Sequence, residues 1–145
     1  MTIVTTACGE ERAGCLVGFA TQCSIRPPLF AVWLSRKNRT TRLAQQASSL
    51  LVHFLGGQHR ELAELFGSVT GDEGDKFSRC RWERGPDGLP RLSDCDRWVA
   101  GRIIDRFETG DHVGHILEPF DAGAGDWTGQ FGFQEAKDFE PGHPA

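Results

Sequence analysis

Short apolar segments rich in β-branched and aromatic residues dominate the first third of the chain, and this pattern predicts β-strands. Turn-forming residues separate the segments. Pro27 and Pro28 fall between two of them, because proline cannot donate a hydrogen bond to a central strand pair. The strands predicted up to residue 55 cover residues 2–7, 15–25, 29–35 and 50–55.

Two stretches have the features of short helices. Residues 40–49 form the first, with Thr40 or Thr41 as its N-cap. Residues 57–67 form the second, because apolar side chains recur there at i, i+3 and i+4 and so share one face, and Gly67 can serve as the C-cap. The apolar residues of that face are Leu62, Leu65 and Phe66.

The second half of the chain predicts one long loop and one pair of strands. Residues 68–94 are rich in Gly, Asp and Arg and predict a surface loop. Residues 97–108 and 112–120 predict two long strands, joined by a turn at residues 109–111. The sequence after Phe120 is glycine-rich and weakly patterned.

Seven or so strands with only two short helices predict a mainly β fold, an antiparallel barrel or sandwich with helices at its ends. A chain of 145 residues fits one domain and buries roughly 70 % of its unfolded surface. Small barrels of this kind leave strand edges, which are often covered by dimerisation. We therefore expect one β-rich domain that forms a homodimer.

Composition and charge narrow the range of partners. The net charge is -4 with acidic and basic residues mixed along the chain, so no basic face for nucleic acid is expected. No apolar run approaches the roughly 18 residues of a membrane span, and no signal peptide is apparent. The five cysteines are an odd number without a C-x-x-C pair, which favours reduced thiols and a cytoplasmic protein.

Two histidines three residues apart, His112 and His115, raise the question of a metal site. On a strand, side chains alternate between faces, so these two imidazoles are expected to point in opposite directions. No cysteine or carboxylate cluster nearby completes a tetrahedral set of ligands. We therefore expect no metal, and a structural role for His115.

Seven short motifs occur in a fixed order along the chain, and together they resemble the pattern of a known protein family. The motifs are IVTT, S-I-R-P-P-L, RKNRTTRL, VHFLGGQHRELAELF, DKF, GLPRL and TGDH. Over roughly residues 2–120 this chain resembles the flavin reductase-like, FMN-binding split-barrel family. The resemblance implies a dimeric split β-barrel over 1–120. We expect residues 121–145 to form a glycine-rich extension that packs on the barrel or on the dimer mate. The resemblance also implies FMN, with FAD as the alternative, NADH or NADPH as co-substrate, and a flavin-dependent monooxygenase as a candidate partner.

Flavin mononucleotide requires a slot for a flat ring, hydrogen-bond donors for its carbonyls, and cations for its phosphate. A strand end and the turn after it offer backbone N–H groups, and Gly18 permits close approach to the backbone. The alternative is an ordinary core strand with a glycine. The candidate ring-binding residues are Val17, Gly18, Phe19, Ala20 and Thr21.

Basic and polar residues just before the first predicted helix suit the phosphate, because N–H groups at a helix start attract anions. The resemblance assigns the phosphate to the same segment, and the alternative is a solvated basic loop. The candidate phosphate-binding residues are Arg36, Lys37, Asn38 and Thr40. Gln58, in the loop before the second helix, is a further cofactor-binding candidate from the resemblance.

The Gly110-Asp111-His112 turn matches the segment that lies beside the flavin in the family. An imidazole there can hydrogen-bond the nicotinamide carboxamide or stabilise the reduced flavin, and Asp111 can fix its tautomer. His112 and Asp111 are therefore the candidate catalytic residues. The alternative is a turn-capping aspartate beside a surface histidine.

Three residues depart from the family pattern: Leu16, Gly18 and Phe19 stand where polar side chains are common. The leading hypothesis is an NAD(P)H-dependent flavin reductase that supplies reduced flavin to a monooxygenase. The rival is a non-catalytic flavin-binding or degenerate interaction module of the same fold, which these departures favour.

Overall fold

The computed structural model describes residues 1–126 and 129–142, and this part of the chain forms nine strands and three α-helices. The strands are β1 Thr2–Cys8, β2 Glu11–Val17, β3 Ala20–Ile25, β4 Pro28–Ser35, β5 Ser49–Phe54, β6 Trp82–Arg84, β7 Pro90–Leu92, β8 Trp98–Thr109 and β9 His112–Gly123. The helices are α1 Arg39–Ala44, α2 Arg60–Ser68 and α3 Phe133–Ala136. Single 3₁₀ turns lie at Gly57–His59, Lys76–Arg79 and Pro86–Gly88.

Seven strands form one antiparallel sheet in the order β2-β1-β5-β8-β9-β4-β3. The sheet curls into a barrel, but β2 and β3 remain its two edges, and β2 approaches β4 without a ladder between them. The barrel is therefore split along one seam. The predicted mainly β, split-barrel fold class is confirmed.

The inside of the barrel is filled by residues that alternate along the strands. In β4, Val32 and Leu34 point inward, so Trp33 and Ser35 point outward. In β9, Leu117 points inward and the same alternation puts His115 on the inner face and His112 on the outer face. The interior cluster consists of Val4, Cys15, Val17, Val32, Leu34, Ala44, Leu50, Val52 and Leu117.

A second apolar cluster lies outside the barrel, between β1 and α2. Phe66 of α2 is its central ring, and Phe131 and Ala136 bring the C-terminal segment into it. The buried members are Ile3, Leu55, Ala63, Phe66, Phe77, Leu92, Cys95, Phe131 and Ala136. The glycine-rich segment therefore packs against the barrel through these residues.

The single strand predicted over residues 15–25 is wrong, because the chain breaks at Gly18 and Phe19. The first part pairs with β1 and the second with β4, on opposite edges of the sheet. A continuous apolar run does not reveal such a change of partner, since both parts keep β-like composition. The break matters for function because it lies at the seam.

The predicted helix bounds were also wrong in detail. Helix α1 is shorter than expected, and its N-cap is Asn38, whose Oδ1 accepts a hydrogen bond from the Thr40 N–H at 3.2 Å. Helix α2 continues past Gly67 to Ser68. The predicted loop over 68–94 contains the β6–β7 hairpin, and β9 runs three residues beyond the predicted end at Phe120.

None of the helices in residues 1–126 and 129–142 is long and apolar enough to cross a membrane.

Candidate functional site

A groove of about 460 Å³ runs along the seam of the barrel. This volume lies within the range of about 300–1,000 Å³ that is usual for small-molecule sites. One wall comes from the end of β2, from α2 and from the C-terminal segment, with Leu16, Phe66 and Phe139 among its residues. The other wall comes from β4, the turn after it and the start of β9.

His112 lies in the second wall, at the start of β9. Gly110 has a φ of +51°, a conformation that favours glycine, and this tight turn brings Asp111 and His112 to the groove end of the strand pair. The Nδ1 of His112 lies 2.6 Å from the Oδ1 of Asp111. This hydrogen bond lowers the pKa of the Asp111 carboxyl. A carboxylate accepting from Nδ1–H leaves the Nε2 of His112 for a ligand.

His115 lies on the opposite face of β9, as strand alternation predicts. It is fully buried inside the barrel, and its Nδ1 lies 3.2 Å from the Val113 carbonyl oxygen. Burial lowers the pKa of its imidazole. The two histidines therefore cannot share a ligand, and the described residues contain no cluster of three or more metal-binding side chains.

Ser35 and Asn38 carry the hydrogen-bonding groups of the same wall. Ser35 pairs with His112 across the β4–β9 ladder, and its buried Oγ has no hydrogen-bond partner among the described residues. Asn38 uses its Oδ1 to cap α1, so its Nδ2 remains as the donor. Both residues line the groove, so a hydroxyl and an amide stand near the imidazole.

Trp33 supplies an aromatic surface beside these groups. Its ring meets that of Phe107 edge to face, with centroids 6.0 Å apart. Phe107 in turn lies over Gly114, where a Cβ would come within 2.4 Å of the phenylalanine ring. The glycine therefore makes room for the ring that holds Trp33.

The break between β2 and β3 forms the rim of the groove. Val17, Gly18 and Phe19 all line it. The carbonyl oxygen of Phe19 accepts a hydrogen bond from the Trp33 N–H at 2.9 Å, which ties the rim to the opposite wall. The Phe19 side chain is 61 % exposed and its ring lies 5.2 Å from that of His112, so it borders the groove rather than filling it.

Other candidate ring-binding residues lie elsewhere. Ala20 and Thr21 belong to β3, pair with β4 and do not line the groove. Gln58 lies in a separate depression with His59 and Asp94. The ring-binding roles given to Ala20 and Thr21, and the cofactor-binding role given to Gln58, stay predictions without a position at the groove.

The candidate phosphate-binding cations lie just outside the groove. Arg36 and Lys37 stand between Ser35 and Asn38 in the chain, and the half-exposed Arg36 guanidinium forms an ion pair with Glu108. Thr40 is buried beside Cys15 and does not line the groove. The phosphate-binding roles given to Arg36, Lys37, Asn38 and Thr40 therefore stay predictions.

Several groove residues were not predicted from the sequence. For Trp33 and Ser35, the one indication in the sequence was that they alternate with apolar residues along a strand and so face outward. The C-terminal segment gave a weaker signal, because its aromatic residues are widely spaced. The missed residues that line the groove include Trp33, Ser35, Phe133, Lys137 and Phe139.

A seven-stranded barrel that is open along one seam, with a groove of aromatic and polar residues at that seam, defines a protein of the split-barrel class. The chain belongs to the flavin reductase like domain family, whose model matches residues 1–129.

Two curated relatives and one solved structure illustrate the similarity. The chain is 31 % identical to the FMN reductase (NADH) RutF of Methylorubrum extorquens over 110 residues, which cover 76 % of this chain and 53 % of that one. It is 28 % identical to the reductase component of a 4-nitrophenol 4-monooxygenase/4-nitrocatechol 2-monooxygenase of Rhodococcus opacus, covering 86 % and 65 %. The FMN-binding protein from Thermus thermophilus with bound p-hydroxybenzaldehyde superposes with a TM-score of 0.78 at 25 % identity, covering 83 % of this chain and 69 % of that one. The chain spans about half the length of the first of these curated relatives.

Proposed function

We propose that this chain binds FMN, with FAD as the alternative, and reduces it with NADH or NADPH. The observation that carries the proposal is the convergence of Ser35, Asn38 and His112 on one aromatic-walled groove. Flat heteroaromatic rings bind between apolar walls, and a few placed polar groups fix their orientation.

The groups present fit the parts of FMN. Trp33, Phe19 and Leu16 offer flat or apolar surface to the ring. The orphaned Ser35 Oγ and the Asn38 Nδ2 offer hydrogen bonds. Arg36 and Lys37 lie between these two residues in the chain, and we propose that they bind the phosphate at the same rim, where a charge-assisted contact replaces the exposed ion pair of Arg36 with Glu108.

His112 acts on the hydride donor in this proposal. When bound, FMN supplies the ring that accepts the hydride. Asp111 holds the Nδ1–H of His112, so Nε2 faces the groove as an acceptor, or as a donor when the ring is protonated. In either form the imidazole can orient the carboxamide of a nicotinamide nucleotide, which places the two reacting rings together.

The names of the relatives support the direction of this chemistry. The Methylorubrum relative is named as an FMN reductase that uses NADH, and the Rhodococcus relative as the reductase component of a monooxygenase. By analogy we infer that reduced flavin from this protein serves a separate monooxygenase.

We also infer a homodimer in the cytoplasm. Strand β3 is an edge strand whose residues Thr21, Gln22, Cys23 and Ile25 are all exposed, so neither of its faces is well covered within one chain. A second copy can cover it. All five cysteines are free thiols, which fits a reducing compartment.

The test is a pair of measurements on the full chain. FMN binding is followed by quenching of flavin fluorescence, and NADH oxidation is followed by absorbance with excess FMN. Ser35→Ala should weaken FMN binding by about three- to ten-fold through the loss of one hydrogen bond. Ser48→Ala, an exposed serine distant from the groove, is the control.

Binding of FMN without NADH or NADPH oxidation would favour the rival, a non-catalytic binding module. The exposed Phe19 at the groove is the feature that makes this rival worth testing. No binding of either flavin would reject both.

A further inference from the structure

One charged side chain is buried directly behind the groove. Lys76, in the 3₁₀ turn after α2, is only 4 % exposed. Its Nζ donates to the carbonyl oxygens of Gly14 at 3.0 Å and Phe66 at 3.1 Å, and lies 5.4 Å from the centre of the Phe66 ring. Lys76 therefore joins β2 to the last turn of α2.

These contacts place the ammonium next to the groove wall. Phe66 lines the groove, and so does Cys15, the residue after Gly14. Burial raises the pKa of the Cys15 thiol, and the nearby charge of Lys76 opposes this shift. One layer of residues thus separates the ammonium from whatever occupies the groove.

The charge of Lys76 has no ion-pair partner in the described part of the chain. Burying an unpaired charge is costly, and burial lowers the pKa of the Lys76 amine. The Phe66 carbonyl in the last turn of α2 explains part of the position of Lys76, since cations are favourable at helix C-termini. The ammonium makes stronger hydrogen bonds to the two carbonyls than a neutral donor would, but no carboxylate in the described part of the chain neutralises its charge.

We infer that Lys76 is an electrostatic positioning residue that favours an anion in the groove, namely the reduced flavin ring. This inference rests on the proposed function. Transfer of a hydride from a nicotinamide to the neutral oxidised ring leaves the reduced ring with one negative charge until a proton follows. A fixed cation behind the apolar wall stabilises that charge without touching the reacting atoms, because the low-dielectric surroundings screen it weakly.

The experiment measures the affinity for oxidised FMN and for anaerobically reduced FMN in the wild-type protein, in Lys76→Met and in Lys76→Arg. The quantity compared is the ratio of the two affinities. Lys76→Met should lower the preference for reduced over oxidised FMN by about ten-fold, on the order expected when one unit charge is removed from beside another in the protein interior. Lys76→Arg should retain the preference. Arg102→Met, which removes an exposed charge paired with Glu118, is the control and should leave the ratio unchanged.

Riboflavin lacks the phosphate, so its comparison with FMN shows whether Lys76 acts on the reduced ring or on the phosphate. If Lys76 acts on the ring, the ratio for riboflavin changes as much as that for FMN. If Lys76→Met instead weakens oxidised FMN and leaves riboflavin unaffected, the cation serves the phosphate, and the inference is overturned.

A folded Lys76→Met protein with an unchanged ratio would also overturn it. If that variant does not fold, the absorbance of reduced FMN on the wild-type protein decides. The anionic form should persist at acidic pH values where free reduced FMN is neutral, and a neutral spectrum would refute the inference. Failure of the wild-type protein to bind FMN would reject the proposed function and the role of Lys76 together, whereas an unchanged ratio rejects only the latter.

Discussion

The Nδ1 of His112 lies 2.6 Å from an exposed carboxylate oxygen of Asp111, while the ring of His112 faces the groove. The carboxylate can fix which nitrogen carries the proton, but it lies outside the groove. The loss of the His112 imidazole should therefore reduce turnover more than the loss of the Asp111 carboxylate.

If His112 orients the hydride donor, His112→Ala should lower turnover with NADH, or raise its apparent KM, by about ten-fold. The reason is the loss of one or two hydrogen bonds of roughly 0.5–1.5 kcal/mol each. FMN affinity should change little. Steady-state kinetics and FMN titration on the same preparation measure both quantities.

Asp111→Asn should act in the same direction as His112→Ala but less, because Asp111 is solvent-exposed and only orients the ring. Asp105→Asn, an exposed aspartate in β8, is the matched control. His115→Ala is a test of stability rather than of catalysis, since His115 is buried in the barrel. A His115→Ala protein that stays folded but loses activity as severely as His112→Ala would contradict this assignment.

The phosphate position is tested by replacing Arg36 and Lys37 together by alanine. Charge-assisted contacts contribute roughly 1.5–3 kcal/mol each, so FMN binding should weaken ten-fold or more, and riboflavin binding far less. Loss of the exposed Arg36–Glu108 ion pair should itself have little effect on stability.

The matched control for this pair is Arg39→Ala with Arg42→Ala. These two residues lie in the same basic segment and, like Arg36, form ion pairs, here with Glu11 and Asp72, so their removal matches the loss of charge. An equal loss of FMN and riboflavin affinity in the Arg36 and Lys37 variant would remove the phosphate assignment.

The homodimer predicts a mass near twice 16.0 kDa by light scattering at micromolar concentration. Ile25→Glu should shift the protein toward monomer, because Ile25 is 79 % exposed on the edge strand β3. Ile104→Glu changes an exposed isoleucine in β8, which lies between β5 and β9 and is not an edge strand. This control should leave the mass unchanged. A wild-type protein that is monomeric and still binds flavin would contradict the proposed homodimer.

His53 predicts a loss of stability in acid. It is fully buried, accepts a hydrogen bond from the Leu92 N–H at 3.0 Å and donates from Nδ1 to the Ile3 carbonyl oxygen at 3.1 Å. Burial, with a smaller contribution from the charge of Arg91, lowers its pKa from 6.5 to about 4. The imidazole is therefore neutral in the folded protein.

Because the folded-state pKa is the lower one, the unfolded chain takes up the proton first as the pH falls. The contribution of His53 to the free energy of unfolding is present above about pH 6.5 and is lost between there and pH 4, by about 3 kcal/mol in total. Urea unfolding at several pH values measures it. His53→Gln should give a flatter profile across this interval, and profiles of equal slope would disprove the assignment.

The sequence alone determined what depends on local period and on motif order. Alternation on a strand separated His112 from His115, and the helical period found α2 around Phe66. The ordered motifs gave the family, and with it Gly18 and Phe19 at the groove. These features were predictable because each depends on residues close together in the chain.

Tertiary structure decided which of these residues meet. Ser35 joins His112 only through the β4–β9 ladder, and Phe139 closes the groove only because the C-terminal segment packs on α2. The same packing leaves Gln58 in a separate depression and hides Lys76 behind the groove wall. Such contacts join segments far apart in the chain, and burial of their shared apolar surface selects them, so no local pattern in the sequence records them.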